Sequence, residues 1–425
     1  MPSIQLNNGI HLHVIPGDRF KTEFLSISMT RPLRAEENTQ NALLPYVLAA
    51  GCRTYGGQKG LNMALEELYG ARLQPSVRKR GAYQSTGFTL SFLKNRFALE
   101  GEDISGRCLD VLRNVLLDPM TQGEGFDPTI LGLEKNNLRE KILSRVNDKM
   151  LYGVDRCTAL MAQGTPWALS ELGEAEVLER EVISPDNLYR HYRKWLTQSR
   201  IEVVYVGSME PEEMAKQLEA RFGDLHSVEL EMKAQPVDVS QGQKGQVTET
   251  MALAQCKVTM GMTTGITVDD PLYFPMLMAV AVYGGGPTSK LFMNVREKMS
   301  LCYYAAARYS KANGQILVYS GIEQANLEVA TAEILHQLEQ LQQGQVTEEE
   351  FLAAQKSVVN ALRSQQDSPA HLEEFLLSEQ MASHPLDEQE YIGRVMQVTR
   401  EQAVQAAAHI QLQITHVLQG EEANH

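Results

Sequence analysis

The chain has 425 residues, is 43% hydrophobic and 7% aromatic, and carries a net charge of −14 with a pI near 5.3. That length suits two ordinary domains, the apolar content excludes a disordered chain, and the anionic field disfavours nucleic acid. No apolar run reaches the ~18 residues of a spanning helix, and the opening MPSIQLNNGI has neither the positive start nor the apolar core of a signal peptide. A soluble, cytoplasmic protein without membrane contact is expected.

Along the chain, His11 and His13 alternate on a strand and share one face, without any nearby acidic third ligand to complete a metal site. NALLPYVLAAG, from Asn41 to Gly51, reads as a helix with Asn41 as N-cap and Gly51 as terminator. Residues 60–93 read as a helix followed by two strands, and Asp103 to Leu117 as a long amphipathic helix. LEKNNLREKILSRVNDK, residues 133–149, is a further helical run, and Trp167 falls in a loop as a packing residue. Ser184 and Pro185 open a helix, IEVVYVG is a buried strand ending at Gly207, and PEEMAKQLEARF is the next helix. HSVELEMKAQPVDVSQGQKGQ, residues 226–246, is polar and reads as a linker.

The second part repeats this order. Gly284 to Gly286 suggest a tight turn, Thr288 to Ile322 a helix and two strands joined at Ala312-Asn313-Gly314, and Asn326 to Leu341 a long amphipathic helix. Thr347 caps the acidic helix start TEEEF, and the last segment has a helix capped by Thr399 and a strand closing on Gly420. His371 with Glu373 and Glu374 reads as a solvated helix face, while nothing marks His409 or His416 as a ligand. Cys52, Cys108, Cys157, Cys256 and Cys302 form no C-x-x-C pair and read as buried free thiols. Cys302 has no histidine in its local motif, so a hydrolase built on it is a weak reading. Matched element order predicts a duplicated α+β chain: two tandem homologous domains, 1–232 and 233–425, each a mostly antiparallel sheet packed with helices.

The chain resembles the insulinase/pitrilysin superfamily of zinc metallopeptidases, in particular its short bacterial and mitochondrial-processing-like members. The resemblance covers nearly the whole chain, through IQLNNGIHLHVIP, FLSISM, IEVVYVGSMEPEEM and, most closely, YGGGPTSKLFMNVREKMSLCYY. It implies that family's ferredoxin-related sandwich. Active members carry H-x-x-E-H on the helix that corresponds to the Asn41 stretch, two histidines for zinc and a glutamate as base. Registering Gly51 on the family's glycine puts Ala42 and Tyr46 at the histidine positions and Pro45 at the base. The third ligand position falls on Lys141, with Glu140 one residue away.

The resemblance therefore implies a degenerate zinc site, no catalytic residues of the chain's own, no cofactor, and zinc only in a partner chain. It also implies that Arg296 and Tyr303 are retained to bind substrate, a guanidinium for a peptide carbonyl and a phenol for a developing oxyanion. The expected partners are a homologous subunit bearing H-x-x-E-H, or a second copy of this chain, together with a peptide. On that expectation the chain is not a metallopeptidase alone but the non-catalytic subunit of a heterodimeric one. The alternative is a non-enzymatic peptide-binding or scaffold homodimer.

Overall fold

The computed structural model describes residues 3–420. In chain order the first part forms β1 (Ser3–Gln5), β2 (His11–Pro16), β3 (Thr22–Pro32), α1 (Asn38–Ala49), α2 (Gln58–Glu67), β4 (Arg72–Arg80) and β5 (Tyr83–Leu93). There follow α3 (Ile104–Leu117), a short hairpin of β6 (Thr121–Gln122) and β7 (Gly125–Phe126), α4 (Pro128–Ser144), α5 (Lys149–Met161), α6 (Pro185–Thr197), β8 (Arg200–Gly207) and α7 (Pro211–Phe222). The second part forms β9 (Gly245–Met251), β10 (Cys256–Thr263), α8 (Tyr273–Gly284), a π-helical segment Leu291–Lys298, β11 (Cys302–Ser310) and β12 (Gln315–Ile322). It ends with α9 (Leu327–Gln342), α10 (Glu348–Gln365), α11 (Pro369–Glu379), α12 (Glu388–Gln397), α13 (Arg400–Ala407) and β13 (Gln411–Gly420).

The larger sheets share a five-strand topology, to which the first adds β1 at its edge. One runs β1-β2-β8-β3-β5-β4 and the other β9-β13-β10-β12-β11. Each has one parallel pair (β2 with β8, β9 with β13), beside four antiparallel pairs in the first sheet and three in the second. β8 lies inside its sheet and is buried from Ile201 to Gly207, which is why it reads as an apolar run broken only by Glu202. On the first sheet, α1, α3 and α6 supply one continuous core that includes Leu43, Leu109, Leu112, Tyr192 and Trp195. Its polar tips are paired: Tyr192 donates to the Leu116 carbonyl and Trp195 Nε1 to Thr86 Oγ1, both at 2.8 Å.

The chain divides into two compact units, and one cut does not separate them. The first comprises the chain up to Ser144, Leu169–Met232 and Ser368–Ser378; the second comprises Arg145–Ala168, Lys233–Asp367 and the chain from Glu379. Each unit thus takes a helix from the other half of the sequence. α11 buries Leu376 and Leu377 against Phe24, Val204 and Val206 of the first sheet. There Arg78 of β4 donates to Glu373 at 2.7 Å and Arg80 to Glu374 at 3.0 Å. The HLEE segment is therefore a clamp rather than a solvated face, with Glu373 2% exposed. α5 lies on the second sheet, where Arg156 donates to Glu249 of β9 at 2.6 Å and Tyr152 to the same carboxylate at 3.2 Å.

Three further expectations change in the structure. The run 133–149 is broken: α4 stops at Ser144, and Asp148 caps α5 by accepting from the Leu151 N–H. The Gly284–Gly286 triplet reflects close packing rather than a left-handed turn, since a Cβ at Gly284 would lie 2.6 Å from the Ala307 amide nitrogen. The connector after Leu225 has no regular structure, yet it is pinned. Arg200 donates to the Leu230 carbonyl at 2.9 Å, and the Gln235 and Val237 amides bond to Ala312 and Asn313 at 2.9 Å. Among the described residues, no helix is long and apolar enough to cross a membrane.

Candidate functional site

α1 is buried on nearly every side, which leaves no open face for a metal. It begins at Asn38, three residues before the expected cap, because its polar first turn finds tertiary partners. Asn41 Nδ2 donates to Gln84 Oε1 at 3.0 Å, and His191 Nε2 donates to Asn41 Oδ1 at 2.7 Å. Asn38 and Gln40 donate to the carbonyls of Ser170 and Val182. These bonds fasten the segment around residues 170–182 over the helix start. At the other end Gly51 has φ of 129°, and a Cβ there would meet the Gly57 backbone at 2.4 Å. Proline at position 45 sits inside the helix, where it removes one backbone bond.

Ala42 is fully buried, Pro45 is buried and Tyr46 is half-buried. The structure brings Tyr46 and Lys141 together: Lys141 Nζ donates to the phenol oxygen at 2.5 Å and lies 4.9 Å from the ring centroid. Glu140 is exposed on the neighbouring position of α4. An ammonium at this place repels a divalent cation, and an alanine, a proline and a phenol do not replace imidazoles, so the donor set does not fit zinc. Seven residues before Lys141, on the same helical stripe, the sequence reading passed over Glu134. Burial pushes its carboxyl up, and Asn137 donates to it at 3.2 Å.

Among the described residues, no group of three or more His, Cys, Asp and Glu comes together to hold a metal ion. His13 does have an acidic neighbour, contrary to expectation: Glu202 Oε1 lies 3.8 Å from its Nε2 and also accepts from Arg200 at 3.1 Å. Strand β8 delivers that carboxylate from almost two hundred residues away. His416 is buried 3.6 Å from Glu249, His371 and His409 are exposed, and all five cysteines are buried and free. Burial pushes the Cys302 thiol up, the opposite of an activated nucleophile.

Arg296 and Tyr303 lie on consecutive pieces of irregular backbone. Arg296 lies in the last turn of the π-helical segment, its guanidinium carbon 4.5 Å from the Phe292 ring centroid and Nη1 3.4 Å from Glu297. Ser300 has φ of 52°, a left-handed conformation rare outside glycine. The β11–β12 register then shifts between Cys302 and Tyr304, which makes Tyr303 the extra residue of a β-bulge. Bonds from the Ser300 and Leu301 amides to the Arg296 and Val295 carbonyls fold the two pieces together.

The result is a guanidinium 40% exposed and a phenol residue 55% exposed. Their side chains are tied to different carboxylates. Tyr303 donates to Glu323 Oε1 at 3.0 Å, and that hydrogen bond holds the phenol above its ordinary pKa. Phe292 lies within the quoted YGGGPTSKLFMNVREKMSLCYY stretch, but its support of Arg296 was not read there, and Glu323 lies in no distinctive motif. Tyr304 is half-buried, its ring 5.5 Å from the Lys257 ammonium.

The profile of the family described as "Peptidase M16 inactive domain" matches residues 183–358. A probable inactive metalloprotease of Bacillus subtilis (strain 168), YmfF, is 28% identical over 98% of this chain and 97% of its own length. A conserved protein from Enterococcus faecalis V583 superposes with a TM-score of 0.88 at 27% identity, covering 100% of this chain and 99% of the other. A structure from Pseudomonas fluorescens, described as a peptidase M16 inactive domain, superposes with a TM-score of 0.78 over 99% and 98% of the two chains; at 15% identity it speaks to the fold alone. Residues 183–358 thus match the peptidase M16 inactive domain, the likeness to a probable inactive metalloprotease runs from end to end, and a tyrosine–lysine pair stands where the resemblance locates zinc ligands.

Proposed function

We propose that this chain is the zinc-less subunit of a two-chain metallopeptidase that processes peptides, with the zinc and its H-x-x-E-H helix in a homologous partner. The observation that carries this reading is the asymmetry between the two halves. The positions matched to zinc ligands are filled by groups that repel or ignore a cation. Arg296 and Tyr303 remain exposed on a π-helix, a left-handed residue and a bulge, departures from regular backbone that cluster at functional sites.

In this reading the partner's zinc supplies the activated water. Arg296 donates to the peptide carbonyl beside the scissile bond and holds the substrate extended. Tyr303 turns its proton from Glu323 toward the oxygen that gains charge as the tetrahedral intermediate forms. Glu323 keeps that phenol protonated between turnovers. The chain's cytoplasmic location and its dependence on a partner belong to the same proposal.

Native mass spectrometry of the chain purified from its own host tests the assembly. A complex with one zinc-bearing chain of similar mass supports it; a zinc-free homodimer overturns it and favours a peptide-binding scaffold. In the complex, Arg296→Ala or Tyr303→Phe should each lower kcat/KM by about a hundredfold. Unchanged peptidase rates in the double variant would sink the assignment of the pair.

A further inference from the structure

A cavity of about 680 Å³ lies in the second unit, between the π-helical segment, α9 and the turn leading into α10. Its volume falls within the ~300–1,000 Å³ typical of small-ligand sites, but its walls are polar. Asn294 and Lys298 contribute from the π-helical segment, and His336 and Gln340 from α9.

The charges around it are unevenly paired. Glu350 accepts from Lys290 at 3.2 Å and from the Thr347 amide at 2.8 Å, and these contacts hold its carboxyl below the usual range against the opposing effect of burial. Glu333 accepts from the Gln337 amide at 2.7 Å, and Gln337 accepts from Asn294 at 2.8 Å. Lys298 is exposed and pairs with none of the described carboxylates. Gln340 Nε2 lies 3.3 Å from His336 Nε2, so the ring accepts there and carries its proton on Nδ1. The uncommitted groups are thus an ammonium and an imidazole N–H, and both are donors.

We propose that this cavity binds a small polar molecule through an anionic group, a carboxylate or a phosphate, with Lys298 and His336 as its anchors. Binding there also stiffens the segment that carries Arg296. Most π-helices are single-turn bulges in an α-helix, and this one runs for eight residues, so a competing α register is within reach. A ligand held between Lys298 of that segment and His336 of α9 selects one register and thereby sets the direction of Arg296 on the same helix. The consequence for Arg296 rests on the composite-peptidase reading; the binding site does not.

The test uses the full-length chain without a partner, titrated by calorimetry with inorganic phosphate and, separately, with citrate. Amide exchange of residues 291–301 is followed in the same samples. At least one anion should bind more tightly than about 1 mM and slow exchange across that segment. Lys298→Met should weaken binding by about tenfold, the value of one charge-assisted hydrogen bond, while Lys244→Met on the connector leaves it unchanged. Flat titrations with both anions, or equal affinity in Lys298→Met, overturn the site. Binding without slowed exchange overturns the effect on the helix. None of these readouts needs a peptidase partner, so failure of the composite site leaves them standing.

Discussion

At the scale of single residues, His191 of α6 fastens the first turn of α1 through Asn41. Burial lowers its pKa to about 4, so the folded chain holds it neutral while the unfolded chain protonates it near 6.5. Below that value the unfolded state binds the extra proton, and stability falls as pH drops through 6.5 toward 4. The loss should reach on the order of 3 kcal/mol, and His191→Gln should flatten that part of the profile. Urea unfolding of both proteins at pH 7.5, 5.5 and 4 checks it; parallel profiles would show that His191 is not the titrating group. That Ala42 and Pro45 supply no metal ligand was legible in the sequence, because residue type alone decides it. The role of Asn41 was not, because its partners Gln84 and His191 stand 43 and 150 positions away.

Among the elements, α11 combines two kinds of attachment. Leu376 and Leu377 bury apolar surface, and Glu373 and Glu374 hold arginines of β4. Glu373→Ala leaves the half-buried Arg78 guanidinium with only the exposed Glu374, at a cost of about 1–3 kcal/mol. That loss should appear as faster amide exchange confined to residues 368–378 and as new protease cleavage in that segment. Exchange that rises evenly over the whole chain would instead assign the clamp to global stability. Periodicity located this helix no better than a polar surface helix, since its burial depends on strands more than 160 residues earlier. The segment 291–298 gave the same difficulty. Apolar spacing marks a helix, but a π register arises from what the following strand and the adjoining helices demand.

For the whole molecule, the duplication was readable because each half repeats the same order of helices and strands, and the two sheets share a five-strand order. The exchange of α5 and α11 was not readable, because each follows its own half without any break in composition. It has a direct test. Fragments 1–232 and 233–425 expressed separately should each lack a cooperative thermal transition, and should regain one when co-expressed. A sharp transition in either fragment alone would show that the exchanged helix contributes little. The same feature reaches into synthesis. The first sheet is complete when Gly207 leaves the ribosome, but Ser378 emerges 171 residues later. At about 5–20 residues per second that is roughly 9–34 s, during which Phe24, Val204 and Val206 stay bare, and α5 waits longer still for β13, a strand it packs on. A nascent chain with two unsatisfied faces is a client for a holding chaperone, and translation speed then becomes one determinant of how much native protein a cell obtains.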